Sequence, residues 1–174
     1  MNRNTFKSLF SIILLFSSQS AVSVDGNIEF IGEIIDQACE VKTDSKNIQV
    51  PLGSIPKANL PNVGSKSTPV LFTITLINCP VTVTRASVLF DAIPYPGDNT
   101  VLALKADTGV ATGVGIQLTD KSNAIITLLT PSNSYALLPN VDNPLNFTAN
   151  YIAKASPVTP GPANGAATFL IVYN

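Results

Sequence analysis

The chain has 174 residues, of which 45% are hydrophobic and 12% charged, and its ten basic and eleven acidic residues leave a net charge of −1. This apolar composition excludes a disordered chain, and the lack of a basic excess excludes nucleic acid and anionic membranes as partners. The chain contains no histidine, which excludes a histidine-based catalytic triad and an imidazole metal site. We therefore expect one domain that is not an enzyme and has no catalytic residues, cofactor or metal.

The first 23 residues have the pattern of a secretory signal peptide. Arg3 and Lys7 form a basic head, an apolar block follows over residues 9–16, and small polar residues come next. A membrane anchor needs about 20 apolar residues, which this block does not supply. Cleavage after Ser20 and cleavage after Ser23 both remain open. Either removes two basic residues and leaves a net charge of −3, and we expect an exported domain over residues 24–174.

The segment that follows, about residues 22–31, predicts a strand with one apolar face. Its apolar phase carries Val22, Val24, Gly26, Ile28 and Phe30, and polar residues occupy the positions between them. A glycine inside a strand fits a place where another backbone approaches closely. We predict that this strand fills a groove beside the C-terminal strand, either within one molecule or between molecules.

Two cysteines, Cys39 and Cys79, lie 40 residues apart in this exported chain. An even count in an oxidising compartment predicts a disulfide, and two cysteines allow only one pairing. Closure of a loop of this length stabilises the fold by about 4 kcal/mol in the loop-entropy model.

The remainder of the chain predicts short strands separated by turn-forming residues. We expect an extended segment over 29–41 and strands over 47–52, 70–77, 81–93, 100–106, 114–118, 125–130 and 145–154, with proline- and glycine-rich loops or turns over 54–69, 94–99 and 157–162. No convincing apolar stripe of helical period appears outside the signal peptide. The pattern favours an all-β sandwich or barrel.

The last eight residues, 167–174, predict a strand that differs from the others. Apolar side chains occupy both of its alternating phases, as is typical of a strand covered on both faces. The sequence ends with this strand, so we expect a segment from elsewhere to pair with its second edge, because an open apolar edge promotes aggregation.

The chain resembles the subunits of chaperone–usher pili, in particular the type 1 fimbrial pilins. The residues that carry the resemblance are the stretch over 32–39 that ends in Cys39, the pair Asn78-Cys79, the strand over 114–118, a penultimate Tyr173, and Gly161, the fourteenth residue from the end. Together they cover essentially the whole exported chain.

The resemblance implies an incomplete immunoglobulin-like β-sandwich that lacks its final strand and is completed by donor-strand exchange. A periplasmic chaperone would lend a strand, and at the outer-membrane usher the extension of the next subunit would replace it. The subunit would pass through the periplasm to a fimbria on the cell surface that supports adhesion. The implied site consists of the donor residues Val24, Gly26, Ile28 and Phe30, the accepting residues Phe169, Ile171 and Tyr173, the preceding Gly161, and the Asn174 carboxylate, which the chaperone would bind.

Two other classes of protein remain open. A secreted or tip-located sandwich could bind a glycan through its loops, with Tyr95 or Tyr135 stacked on a sugar ring. A self-complemented monomer would fold its N-terminal strand into its own groove and bury the same residues. The acidic residues near turns, such as Asp98 and Asp107, are interpreted as solvated faces or turn caps and not as a catalytic pair.

Overall fold

The computed structural model describes residues 26–32, 34 and 38–173, which belong to two compact units, residues 1–34 and 35–174. The predicted signal peptide, Val24 and Asn174 lie outside the described residues. In the first unit, residues 26–32 and 34 have no regular secondary structure. Their large apolar side chains are exposed, with Ile28 at 78%, Phe30 at 92% and Ile31 at 90%.

The second unit is all-β over its described part. Its strands are β1 (Glu40–Val41), β2 (Val70–Ile77), β3 (Arg85–Asp91), β4 (Pro94–Tyr95), β5 (Asp98–Leu102), β6 (Val114–Asp120), β7 (Tyr135–Ala136), β8 (Asn143–Ala153) and β9 (Thr168–Tyr173). Two single-turn 3-10 helices cover Thr43–Ser45 and Lys57–Asn59. Among the described residues, no helix is long and apolar enough to cross a membrane.

The strands form two antiparallel sheets. One sheet has six strands in the order β1-β2-β8-β6-β5-β4, and the other has three in the order β7-β3-β9. In the smaller sheet, β9 pairs with β3 from Thr168 opposite Asp91 to Tyr173 opposite Ala86. The last strand thus lies at the edge of the smaller sheet.

The inner faces of the two sheets share an aromatic centre. Phe147 of β8 is fully buried, and its ring lies 5.1 Å from that of Phe90, 5.7 Å from that of Phe72 and 5.5 Å from that of Tyr135. Phe90 and Tyr135 come from the smaller sheet and the other two rings from the larger one. This edge-to-face and stacked cluster joins the two layers.

Three of the predicted strands are confirmed. The segment predicted over 70–77 is β2 with the same bounds, the one over 145–154 corresponds to β8, which ends one residue earlier, and the one over 114–118 lies within β6. In β6 all seven residues are buried, because the strand lies inside the larger sheet between β8 and β5. The strands predicted over 81–93 and 100–106 are present but shifted or shorter.

The predicted coverage of both faces of the last strand is wrong. Phe169, Ile171 and Tyr173 pack against the core, but Leu170 is 59% exposed on the opposite face. The described domain has no further layer over that face of the three-stranded sheet. Apolar residues in both phases therefore do not indicate burial in this strand.

Two other predicted strands are absent and two observed ones were missed. Residues 47–52 form no ladder, and residues 125–130 form only a bridge between Ile125 and Thr119. The missed strands, β4 and β7, have two residues each, too few for a periodic pattern. From 29 to 41, only Glu40–Val41 is a strand among the described residues.

Asp120, at the end of β6, organises the turn that follows. Its carboxylate is 2% exposed and accepts hydrogen bonds from Ser122 N (2.8 Å), Ser122 Oγ (2.6 Å), Ala124 N (3.0 Å) and Asn133 Nδ2 (2.7 Å). Burial opposes ionisation, but these hydrogen bonds outweigh it and hold the pKa of Asp120 below its usual value. The charged carboxylate therefore fixes the loop between β6 and β7.

Replacement of Asp120 by alanine should leave several buried donors without partners. We expect Asp120→Ala to lower the free energy of unfolding by about 3 kcal/mol and the melting temperature by roughly 6–12 °C.

Because the pKa of Asp120 is lowered in the folded state, its contribution to stability is complete above about pH 4 and is lost as the pH falls through the folded pKa. The gap in melting temperature between the two proteins should therefore narrow in acid. Asp107→Ala is the control, since Asp107 is exposed and its carboxylate accepts from the neighbouring Thr108 N; an equal loss of stability in that variant would contradict this role of Asp120.

Candidate functional site

The free edge of β9 forms one side of a groove. β9 pairs with β3 along its other edge, and within the described part of the chain no strand pairs with this one. Residues 163–169, which lead into β9 and begin it, line the same side of the groove. A row of backbone amide and carbonyl groups therefore faces the groove in position to pair with a further strand.

The groove is large and has an apolar floor. Its volume is about 1020 Å³. The floor consists of side chains from both sheets, namely Phe72 and Ile74 of β2, Phe90 of β3, Leu102 of β5, Ile116 and Leu118 of β6, and Ala149 and Tyr151 of β8. An extended segment with apolar side chains on one face matches this shape and chemistry.

The opposite wall is residues 46–53, a role that the sequence did not reveal. Ile48, Val50 and Leu52 are half-buried against the core, at every second position, so the backbone is extended in phase with a strand. The segment nevertheless has no strand partner in the described domain. The strand predicted over 47–52 is therefore present only as an extended wall of the groove.

The Tyr173 end of β9 lies next to the disulfide. Cys39 and Cys79 are disulfide-bonded, as the sequence predicted. The hydroxyl of Tyr173 donates to the carbonyl of Cys39 at 3.0 Å. Burial raises the pKa of Tyr173 above its ordinary value, so the hydroxyl keeps its proton at neutral pH. The last residue of β9 is thereby fixed to the segment that leads into β1.

Gly161 occupies a place where two backbones meet. A Cβ on this residue would overlap the carbonyl oxygen of Gly109 and lie 2.7 Å from the nitrogen of Ala111. Ala111 also donates its amide to the carbonyl of Pro162 at 2.9 Å. The physical requirement for glycine is therefore close packing of the segment before β9 against residues 109–111.

Two lysines line the groove, Lys46 on the wall at 46–53 and Lys105 after β5. Both residues are exposed. Lys105 lies at the end where β9 begins, since its amide donates to the carbonyl of Asn164 at 2.8 Å. Lys46 follows the 3-10 turn whose Ser45 hydroxyl accepts from the amide of Thr75. The rim of the groove is therefore positive.

The structure places the predicted site residues in two groups. Phe169 lines the groove, and Ile171 and Tyr173 follow it along the same inward phase of β9. The predicted donor residues Gly26 and Ile28, and also Phe30, lie in the first unit with their side-chain positions open to solvent. Val24 and Asn174 are outside the described residues. The donor and acceptor assignments stay predictions.

The structure weakens the glycan-binding alternative. Tyr135 is 4% exposed, and its hydroxyl donates to the carbonyl of Asn146 at 2.7 Å, so its ring is not available for stacking on a sugar. Tyr95 is half-exposed on the short strand β4.

The acidic residues have structural partners. Lys154 Nζ lies 2.6 Å from Asp98 Oδ2, and this contact, with hydrogen bonds from Thr100, lowers the pKa of Asp98 to about 2. Asp98 is therefore a charged partner that joins β5 to the end of β8. In the described ranges, no group of three or more potential metal ligands converges.

Comparison with known proteins agrees with this geometry. The model of the family described as "Fimbrial protein" matches residues 28–174. Long polar fimbria protein A of Salmonella typhimurium is 36% identical over 90% of this chain and 88% of that protein. The fimbrial-like protein FimF of the same organism is 36% identical over 99% of this chain and 98% of its own length. The P pilus rod subunit PapA has the same fold, with a TM-score of 0.67 over 79% of this chain and all of that one at 20% identity.

The chain belongs to the fimbrial protein family. The predicted resemblance to pilins is therefore confirmed, and so is the incomplete immunoglobulin-like sandwich. The relatives are structural subunits of fimbriae and not enzymes, in agreement with the predicted lack of enzymatic activity.

Substitution of Gly161 tests the close approach before β9. We expect Gly161→Ala to lower the melting temperature by several degrees, because the methyl group meets rigid backbone and the segment must move away from residues 109–111. Thermal unfolding of the secreted chain measures the effect. Gly32→Ala is the matched control, since its Cβ would have no atom within 4 Å. Equal melting temperatures for both variants would show that the segment tolerates displacement.

Proposed function

We infer that the protein is a structural pilus subunit that polymerises by donor-strand exchange. In this proposal, the strand at about residues 22–31 of one subunit fills the groove beside β9 of the next. The observation that carries the proposal is the unpaired edge of β9 beside an apolar groove of about 1020 Å³, in a chain whose Ile28 and Phe30 are exposed.

In the described domain, both walls of the groove lack a neighbouring strand on the groove side, and a single strand between them would be adjacent to both. The free edge of β9 and the extended segment at 47–52 face each other across the groove. Among the described residues, β9 has no partner besides β3, and the segment at 47–52 has no strand partner. One inserted strand would supply partners to both. We propose that it enters antiparallel to β9, because every ladder in this domain is antiparallel and antiparallel pairing is the more stable arrangement.

Burial of the donor side chains provides the driving force. Transfer of Val24, Ile28 and Phe30 from water to the groove floor would contribute roughly 5–9 kcal/mol before ordering costs. Gly26, between them, would let the donor backbone pass where the groove is shallow. The backbone ladder to β9 adds hydrogen bonds to this apolar contact.

The charges of the donor and of the rim are complementary. Asp25 and Glu29 occupy the polar phase of the predicted donor strand, which would face outward over the positive rim. An antiparallel donor brings Glu29 to the end of the groove where Lys105 lies. Such exposed pairs add little affinity, but they favour one register and speed association.

The remaining steps of the proposal follow the family resemblance. The signal peptide at residues 1–23 would direct export, and a periplasmic chaperone would occupy the groove first, with its basic residues bound to the Asn174 carboxylate. The usher would then replace the chaperone strand by the extension of the next subunit. The product is a fimbria on the cell surface that supports adhesion.

The variant Gly26→Leu tests assembly by donor-strand exchange separately from the stability of the subunit. No atom lies within 4 Å of a Cβ at Gly26, so the substitution leaves the subunit itself unstrained. We expect cells expressing only this variant to lack fibres in electron micrographs, because the larger side chain blocks insertion into the groove. Its own groove remains intact, so co-expression with the wild type should shorten the fibres by terminating them.

Gly32→Leu is the matched control, because a Cβ there also has no atom within 4 Å and the residue lies after the predicted donor strand. It should assemble normally. Fibres of wild-type length from Gly26→Leu would contradict the donor assignment. A wild-type chain that remains monomeric at high concentration would favour the self-complemented monomer.

A further inference from the structure

We propose that consecutive subunits also touch end to end, through apolar surfaces at the two poles of the sandwich. The disulfide pole is the pair of loops at residues 78–84 and 137–142. The hollow pole is the pair of segments at residues 91–94 and 166–168. This contact rests on the proposed donor-strand exchange, but it involves surfaces outside the groove, and its occupant is a second copy of this chain.

The two poles are opposite ends of the same sheet. β3 begins at Arg85, next to Thr84, whose carbonyl accepts the amide of Leu137 at 2.8 Å. The same strand ends at Asp91, opposite the first residue of β9. A strand of this length separates the poles by roughly 20 Å.

The disulfide pole presents three exposed apolar side chains. Val81 is 72% exposed, Leu138 64% and Val141 49%. A monomeric surface has scattered exposed apolar residues, but several on adjoining loops at one end of a domain indicate an interaction site.

The loop that carries Leu138 and Val141 is rigid. The buried side chain of Asn143 accepts from the amide of Leu138 at 2.8 Å and donates to the carbonyls of Leu138 and Val141, both at 2.9 Å. Asn140 N in turn donates to the carbonyl of Cys79, which holds this loop against the other one. The apolar surface is therefore preorganised, which reduces the entropic cost of a contact.

The hollow pole provides a complementary shape. Residues 91–94 and 166–168 line a shallow hollow of about 460 Å³, which is apolar except for the exposed Asp91 and Thr168 at its edge. Ile93 at its rim is 78% exposed, and its backbone is held by a hydrogen bond from the amide of Ala103 to its carbonyl at 2.8 Å. An apolar side chain of the size of leucine or valine fits such a hollow.

Chain direction brings the two poles together. A donor strand antiparallel to β9 runs from the end at Tyr173 toward the end at Thr168, so it leaves the accepting subunit beside the hollow pole. In the donor's own domain, Cys39 lies at the disulfide pole, bonded to Cys79. The seven residues over 32–38 that separate the donor strand from Cys39 reach at most about 25 Å. The disulfide pole of each subunit therefore faces the hollow pole of the subunit that accepts its extension, and the contact repeats head to tail along the fibre.

Charge substitutions at the two poles test the contact in fibres of the full chain. We expect Leu138→Asp and Ile93→Lys each to speed fibre dissociation in denaturant by on the order of tenfold, because each places a charge in an apolar contact. The double variant should recover most of the loss, since the contact sets the new aspartate of one subunit against the new lysine of the next. Leu71→Asp is the matched control, because Leu71 is 65% exposed on β2 of the larger sheet and belongs to neither pole.

The melting temperature of each full-length variant before assembly should equal that of the wild type. Faster fibre dissociation would then report loss of the contact between subunits and not a less stable subunit. Wild-type dissociation rates for both single variants, or a double variant as weak as the singles, would overturn the contact. The Gly26→Leu variant in the same experiment reports on the proposed function. If it forms wild-type fibres, donor-strand exchange fails; if it forms none while the pole variants behave as wild type, only the end-to-end contact fails.

Discussion

The free edge of β9 exposes backbone donors and acceptors beside a groove floored by apolar side chains. Water can hydrogen-bond to these backbone groups but leaves the apolar floor exposed. An apolar side chain would cover the floor but would leave the backbone groups without hydrogen-bond partners. An extended peptide with one apolar face satisfies both together, so this groove favours a strand over a small ligand as its occupant. The same constraint accounts for the extended wall at residues 47–52, which lacks the same neighbour.

The groove keeps its shape because its walls are held at several separate points. The disulfide and the hydrogen bond from Tyr173 to Cys39 hold one end of β9. The close backbone contact at Gly161 holds the segment that precedes its other end. The pair of Asp98 and Lys154 joins β5 to the end of β8. A groove that is held open in this way gives up little conformational entropy when a strand enters, so more of the burial energy appears as binding.

Much of the fold was predictable from the sequence, and the failures have physical causes. The long strands β2 and β8 have clear periodicity and the disulfide allowed one pairing, so both were predicted correctly. The segment at 47–52 has the alternation of a strand but no ladder, because pairing depends on a neighbour that local sequence does not describe. In β9, Leu170 marked a second covered face that the structure leaves exposed. The groove was predicted only from its C-terminal side, since its floor comes from five strands distant in sequence.

The most direct test of this account is the thermal unfolding of residues 32–174 with and without a peptide spanning residues 21–31. The account predicts that the peptide raises the melting temperature by more than about 10 °C, given several kcal/mol of burial in a domain of this size. The same peptide with aspartate at the positions of Ile28 and Phe30 should have no effect. A truncated chain that is already stable and unchanged by either peptide would show that the sandwich is complete without the donor strand, and would contradict the central claim.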